Sequence, residues 1–242
     1  MYICKYFCTF AGDLYVNMKI LAIETSTKVC SAAFLKDGEV IAFRINKEDG
    51  NHASLLPRFV DELTHEHPDF QIDAVALSEG PGSYTGLRIG TSLAKGLAYG
   101  KQVPLVTVPT LQILAAGVEG EGVRCPMIDA RRMEVYTALF KEDGTPMSEV
   151  RAMVIDGKSF EKELEQGRVV FCGDGAEKCK GVIRHENAVF AEGIVPDARN
   201  MGRLAEAKLQ KGETADLAYF EPFYLKEFVA APSHVKGLRG LL

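Results

Sequence analysis

The sequence predicts an α/β fold made of two related halves, the second of them reduced. Three observations lead there: short apolar runs joined by Asp-Gly turns, a change from strand-like to helical spacing after each group of runs, and a return of the same order about one hundred residues later.

In the first half, Ile20 to Glu24 (ILAIE) is an apolar strand ending in a carboxylate, followed by Thr25-Ser26-Thr27. Val29 to Leu35 reads as a second strand and Glu39 to Ile45 as a third. Between them lies Lys36-Asp37-Gly38, and Asp-Gly flanked by apolar runs is the strongest short hairpin signal. Leu55, Leu56, Phe59, Val60 and Leu63 then recur at helical spacing, in a helix ending near His67-Pro68. Asp73 to Ser78 (DAVALS) reads as a central strand. GPGSYTGLRIG (residues 80–90) follows it and opens a helix to about Tyr99-Gly100. Pro104 to Val108 and Thr110 to Ala116 add a strand and a short helix. The order β-β-β-α-β-α-β-α is that of a ribonuclease-H-like or actin-like unit.

The second half repeats it. Cys125 to Asp129 (CPMID) is again an apolar strand with a terminal acid, followed by Ala130-Arg131-Arg132, the strand MEVYTALF and the turn Lys141-Glu142-Asp143-Gly144. Glu24 matches Asp129 at an offset of 105, and Asp37-Gly38 matches Asp143-Gly144 at 106. A helix around Phe160 to Gln166, the strand Val169 to Cys172, Gly173-Asp174-Gly175 with a short helix, and the strand Ala188 to Ala191 complete it. A helix runs from Asp197 to about Lys211, and the tail DLAYFEPFYLKEF has no clear periodicity. These readings divide the chain into a first subdomain at 18–118, a smaller second one at 119–196, and a C-terminal helix and tail at 197–242, whose helix can pack back on the first. Residues 1–17 read as an extension outside the fold, because Met18 stands directly before the strand KILAIET.

Of the 242 residues, 47% are hydrophobic and 25% charged, which suits one sizeable core or two small ones. The net charge of −5 and the lack of a basic stripe make the chain a poor binder of phosphate backbones by itself; Arg131-Arg132 and HVKGLRG are its densest basic stretches. Six cysteines without metal-ligand spacing read as free thiols in a reducing cytosol, so a cytoplasmic location is expected. No apolar run reaches the length of a membrane span.

Two readings of the glycine segment compete. At the end of a buried strand, Gly80, Gly82, Ser83 and Thr85 can form an anion or nucleotide loop on a helix N-terminus, or simply a tight turn. In the helix itself Gly86, Gly90, Ala94 and Ala98 fall four apart, and interior glycines at 90 and 96 together cost roughly 2 kcal/mol against alanine. Such a strip argues for very close packing, within the fold or against a partner. In actin-like folds magnesium-related carboxylates stand where Glu24 and Asp129 lie, and Asp174-Gly175 reads as a remnant phosphate turn; the other reading is that Glu24 and Asp129 cap the turns after their strands. The five histidines lack ligand spacing, so no metal site is expected.

At GPGSYTGLRIGTSLAKGLA the sequence resembles the TsaB (YeaZ) family. MKILAIETST, HASLLPRFVDEL, IDARRMEVYTALF, CGDGA and EPFYLK agree as well, so the resemblance spans Met18 to Lys226. Glu24 stands where the family usually has Asp, and Lys226 where Arg is common. In TsaD-like relatives the next strand is followed by a metal-binding His-x-x-x-His; here that place reads VPTLQILAAG.

The resemblance implies an actin-like, two-subdomain fold without chemistry of its own. It implies a non-catalytic subunit for threonylcarbamoyl transfer to adenosine 37 of tRNAs reading ANN codons, binding and activating TsaD together with TsaE. Alone, such chains form homodimers through the same surface, and tRNA is met only through the complex. ATP and a metal ion belong to the partner subunits, and no cofactor is expected here. Leu55, Phe59, Leu63, Gly86, Arg88, Gly90, Leu93, Ala94 and Leu97 are the expected docking residues. An ATP-dependent phosphotransferase or hydrolase using Glu24 and Asp129 is the alternative, and a homodimeric binder of a small anion at Gly80 to Ser83 a third.

Overall fold

A computed structural model describes residues 17–48 and 50–226. The expected start at Met18 is a matter of the segment before it, which lies outside the described residues, as do Cys4, Cys8, His234 and the basic tail.

The first half opens with a meander of β1 (Lys19–Glu24), β2 (Cys30–Lys36) and β3 (Glu39–Asn46). There follow α1 (His52–Glu66), β4 (Ala74–Gly80), α2 (Tyr84–Lys101), β5 (Leu105–Pro109) and α3 (Thr110–Ala116). The sheet order is β3-β2-β1-β4-β5, antiparallel through the meander and parallel from β1 onward. Strand β1 is central, so both of its faces are apolar: Leu21 and Ile23 enter the core under α1 and α2, while Ile20 and Ala22 enter the core on the other face.

The second half contains β6 (Val123–Asp129), β7 (Glu134–Thr137), β8 (Arg151–Val154), α4 (Glu161–Gln166), β9 (Val169–Cys172), α5 (Asp174–Glu177) and β10 (Ala188–Phe190). Its sheet reads β8-β7-β6-β9-β10 from one edge, with antiparallel and parallel pairings in the same places. Each strand therefore has a counterpart, and the duplication is one of topology as well as sequence. The reduction is plain in the helices: α2 has 18 residues and its counterpart α5 has 4.

One strand is shorter than its sequence suggested. The run MEVYTALF holds ladder geometry only to Thr137, because the opposing strand carries Pro126, which has no N–H to donate. The Thr137 hydroxyl instead donates to the Pro126 carbonyl at 2.8 Å, and pairing resumes between Arg124 and Phe140.

After β10 the chain returns to the first half. Asp197 caps a 3-10 turn (Ala198–Met201) that leads into α6 (Gly202–Gln210), and Ala198, Met201, Ala205 and Leu209 fill the face of the first sheet opposite α1 and α2. The halves meet through α3, where Leu111, Leu114 and Ala115 pack on Ile128, Phe140 and Val170. Cys30, Cys125, Cys172 and Cys179 are buried free thiols. Among the described residues no helix is long and apolar enough to cross a membrane.

Candidate functional site

Parallel pairing of β1 and β4 puts the turns after both strands at the same edge of the sheet. There the glycine helix settles on the Thr25-Ser26 turn. Ser83 caps α2, its hydroxyl accepting from Gly86 N at 3.3 Å, and its own N–H donates to Ser26 O at 2.6 Å. A Cβ added at Gly82 would lie 2.2 Å from Ser26 O, at Gly86 2.1 Å from Thr25 O, and at Gly90 2.3 Å from Thr25 Oγ1. The Thr25 hydroxyl donates to Gly86 O at 2.8 Å, locking the contact.

This corrects the expected docking face. Gly86, Gly90 and Ala94 are buried against the molecule's own turn and β4, so they are closed to a partner. Phe59 and Leu63 are likewise core residues. Of the residues expected to dock, Leu55, Leu93 and Leu97 are half-buried and Arg88 is exposed.

The second half reproduces the arrangement on a smaller scale. Cβ atoms at Gly173 and Gly175 would meet the backbone of Met127 and Ile128 at 2.4 and 2.9 Å. Between them, Asp174 accepts from Asp129 N at 3.0 Å. Asp129 accepts from Arg131 N at 2.8 Å and pairs with Lys178, whose ammonium also donates to Glu134 O at 2.7 Å. Partial burial works against ionisation of Asp129, but Lys178 and the Arg131 N–H outweigh it and hold the carboxyl below its usual range. Glu24 is different: it is fully buried, and burial pushes its carboxyl up. Its Oε1 accepts from Ser26 N at 2.5 Å, while Oε2 has no partner among the described residues.

Between the halves lies a cleft of about 910 Å³. From the first half Ser26, Lys28, Asn51, His52 and the start of α2 face it; from the second half Asp129, Arg131, Tyr136 and Asp174 do. Gly82, Ser83 and Thr85 thus border the cleft as an anion loop would. Gly80 does not, because the tail covers it: Phe223 N donates to Glu79 O at 2.7 Å, and a Cβ at Gly80 would lie 2.5 Å from Phe223 O. Glu24 is sealed beneath its turn and does not line the cleft, which takes it out of the expected carboxylate set and leaves Asp129 and Asp174 together.

Sequence reasoning missed His52 and Tyr224 here. The His52 ring spans two carbonyls, Thr27 O at 2.9 Å and Gly50 O at 3.1 Å, and so ties the start of α1 to the turn before β2. Tyr224 lies against Tyr84, with ring centres 4.9 Å apart. A lone histidine at a helix start and a tail without period left no local signal for either.

A second concavity, of about 560 Å³, is a groove between α1 and α2 lined by Ala53, Leu56, Pro57, Arg88, Ser92 and Leu93. Tyr84, Thr85 and Ile89 line both this groove and the cleft, so the first turns of α2 are the wall between them.

Comparison with known proteins agrees with this geometry. The model of a family described as "TsaD: tRNA N6-adenosine threonylcarbamoyltransferase" matches residues 45–233. The tRNA threonylcarbamoyladenosine biosynthesis protein TsaB of Escherichia coli is 34% identical over 224 residues, which cover 88% of this chain and 96% of that protein. Its Bacillus subtilis namesake is 32% identical over 219 residues, covering 86% and 94%. The solved structure of YeaZ from Pseudomonas aeruginosa superposes with a TM-score of 0.73 at 27% identity, over 86% of this chain and all of that one.

Proposed function

The chain belongs to the TsaB (YeaZ) family, and from that premise we propose that it acts in the formation of threonylcarbamoyladenosine in tRNA as a non-catalytic subunit. It docks a TsaD-type transferase through the α1–α2 groove and holds that enzyme in its active arrangement, with TsaE joining in a larger assembly. The threonylcarbamoyl group then passes to adenosine 37 of tRNAs reading ANN codons on the partner, which supplies the metal ion, while ATP is used by the partner subunits. The tRNA is met through the complex in the cytoplasm. Without its partner the same groove closes against a second copy.

The observation that carries this reading is the groove itself. Ala53, Leu56, Pro57 and Leu93 form an apolar floor and walls between two helices, with Arg88 exposed at the edge. A pair of parallel ridges of this kind suits a matching helix pair, giving a four-helix contact. The match to the transferase family model supports a partner of the same fold, and related folds favour a pseudo-symmetric contact in which like surfaces meet.

The reading is tested by co-purification with TsaD. Ala53→Arg and Leu93→Asp place charge in the groove, and each is expected to lose the complex and to leave threonylcarbamoyladenosine unrestored in depleted cells. Wild-type affinity in both variants, with melting temperatures unchanged, overturns it.

A further inference from the structure

The tail from Ala215 to Lys226 is fixed to the first half along nearly all of its length. Ala215 N donates to Leu105 O at 2.8 Å, the Lys95 ammonium holds Phe220 O at 3.2 Å, and Phe223 N meets Glu79 O at 2.7 Å. Ala215, Leu217 and Phe220 also pack on the core beneath α2. Tyr224 then lies tilted against Tyr84, whose hydroxyl accepts from Arg88 at 2.9 Å. Only at its end does the tail change sides: Lys226 forms an ion pair with Glu134, on β7 of the second half. Tyr224, Leu225 and Lys226 line the cleft at this crossing.

We propose that this tail is a latch across the cleft, and that it couples the separation of the halves to the shape of the α1–α2 groove. The coupling runs through Tyr84. That residue lines both concavities, is contacted on one side by the latch, and is bonded to Arg88 in the groove. The latch is built to open. Its ion pair with the second half is half-exposed, at 47% and 25% side-chain exposure, and such pairs add little net stability and weaken with salt. The tie to the first half is two backbone bonds, the Lys95 contacts and a half-buried apolar patch, which stay in place when the pair breaks. Loss of the Lys226–Glu134 pair therefore loosens the second half at the cleft mouth, while α3 still joins the halves, and leaves Tyr224 held beside Tyr84 only from the Phe223 side. The proposal concerns the isolated chain and goes beyond the docking reading, so it stands or falls without a partner.

Amide hydrogen exchange on the full chain tests it. The probes are Gly86 and Leu87 in the first turn of α2, and Ala130 and Glu134 in the β6–β7 turn; all four amides are hydrogen-bonded. Lys226 pairs with Glu134 in the second half, whereas Tyr224 lies against Tyr84 at the start of α2. Lys226→Ala is expected to speed exchange at both sites several-fold, as is Tyr224→Ala, while the β1 and β4 amides keep their rates. Raising the salt on the wild-type chain should do the same. Acceleration in Lys226→Ala confined to the β6–β7 turn, or absent from both sites, overturns the proposal. Lys226 is exposed, so its replacement leaves the fold intact even if Tyr224→Ala does not.

Discussion

Glu24 and Asp129 occupy equivalent places in the two halves, and each accepts a hydrogen bond from the backbone N–H two residues ahead, Ser26 at 2.5 Å and Arg131 at 2.8 Å. The shared task is to hold the turn after the first strand. Their surroundings have diverged: Asp129 faces the cleft with Lys178 beside it, and Glu24 is sealed with one oxygen unpartnered among the described residues.

That difference gives Glu24 a pH signature. Burial raises its carboxyl above 4.5 in the folded chain, so the folded state binds the proton more tightly than the unfolded one. The penalty is absent below about pH 4.5 and grows as pH rises toward the folded value, and stability falls over that window. Gln keeps the acceptor for Ser26 N and cannot ionise. The change in melting temperature on Glu24→Gln should therefore be more favourable near pH 7 than near pH 4 by about 2–4 °C, read by thermal unfolding at both. A gain independent of pH would contradict the assignment.

The glycines of α2 divide by what approaches them. Helix propensity alone makes each Gly→Ala favourable by up to about 1 kcal/mol. Gly96 has nothing within 4 Å of its would-be Cβ among the described residues, and Gly96→Ala should gain about 0.5–1 kcal/mol. At Gly86 the new methyl would lie 2.1 Å from a backbone oxygen that cannot swing away, so Gly86→Ala should cost about 3 kcal/mol or more in urea unfolding. Equal effects at the two positions would mean that the helix does not rest on Thr25.

These glycines also show how far the sequence could be read. Spacing by four at Gly86, Gly90 and Ala94 announces a close approach but not what approaches. The answer, Thr25, lies some sixty residues earlier and becomes a neighbour only through the parallel pairing of β1 with β4. The duplication was legible because Glu24, Asp129 and the two Asp-Gly turns leave side-chain marks at matching offsets. The cleft was half legible: Gly82, Ser83, Thr85, Asp129 and Asp174 were named in advance and do border it. The tail was not legible, because residues 215–223 are held partly through backbone groups of Leu105 and Glu79 and through Lys95, and the side chains that pack, Ala215, Leu217 and Phe220, keep no single period.

His52 provides a test of how the first half is braced beside the cleft. Its ring is buried between Thr27 O and Gly50 O, two carbonyls from different segments. His52→Ala strips the ring contacts from Thr27 O, before β2, and from Gly50 O, before α1. Uncompensated loss of buried hydrogen bonds costs about 1–3 kcal/mol, and a fall of that size in unfolding free energy is expected. A loss below about 0.5 kcal/mol would place the ring's contacts at the level of an ordinary surface substitution.

Arg131 and Arg132 sit at successive left-handed positions, with φ of 73° and 50°, in the turn between β6 and β7. Left-handed positions such as these, in a three-residue loop closed by Ala130 and Glu134, favour glycine and asparagine, because an L side chain there crowds its own carbonyl at about 1–2 kcal/mol per residue. Arg132→Gly relieves that crowding, and glycine's greater freedom in the unfolded chain cancels part of the gain, so a net stabilisation of about 0.5–1 kcal/mol is expected. The same change at Arg131 should gain less. Its N–H is held by Asp129, and the left-handed turn is what aims that N–H at the carboxylate. If Arg132→Gly instead destabilises the chain in denaturant unfolding, the side chain is held by contacts that outweigh its strain, and the turn is braced by more than the Asp129 bond.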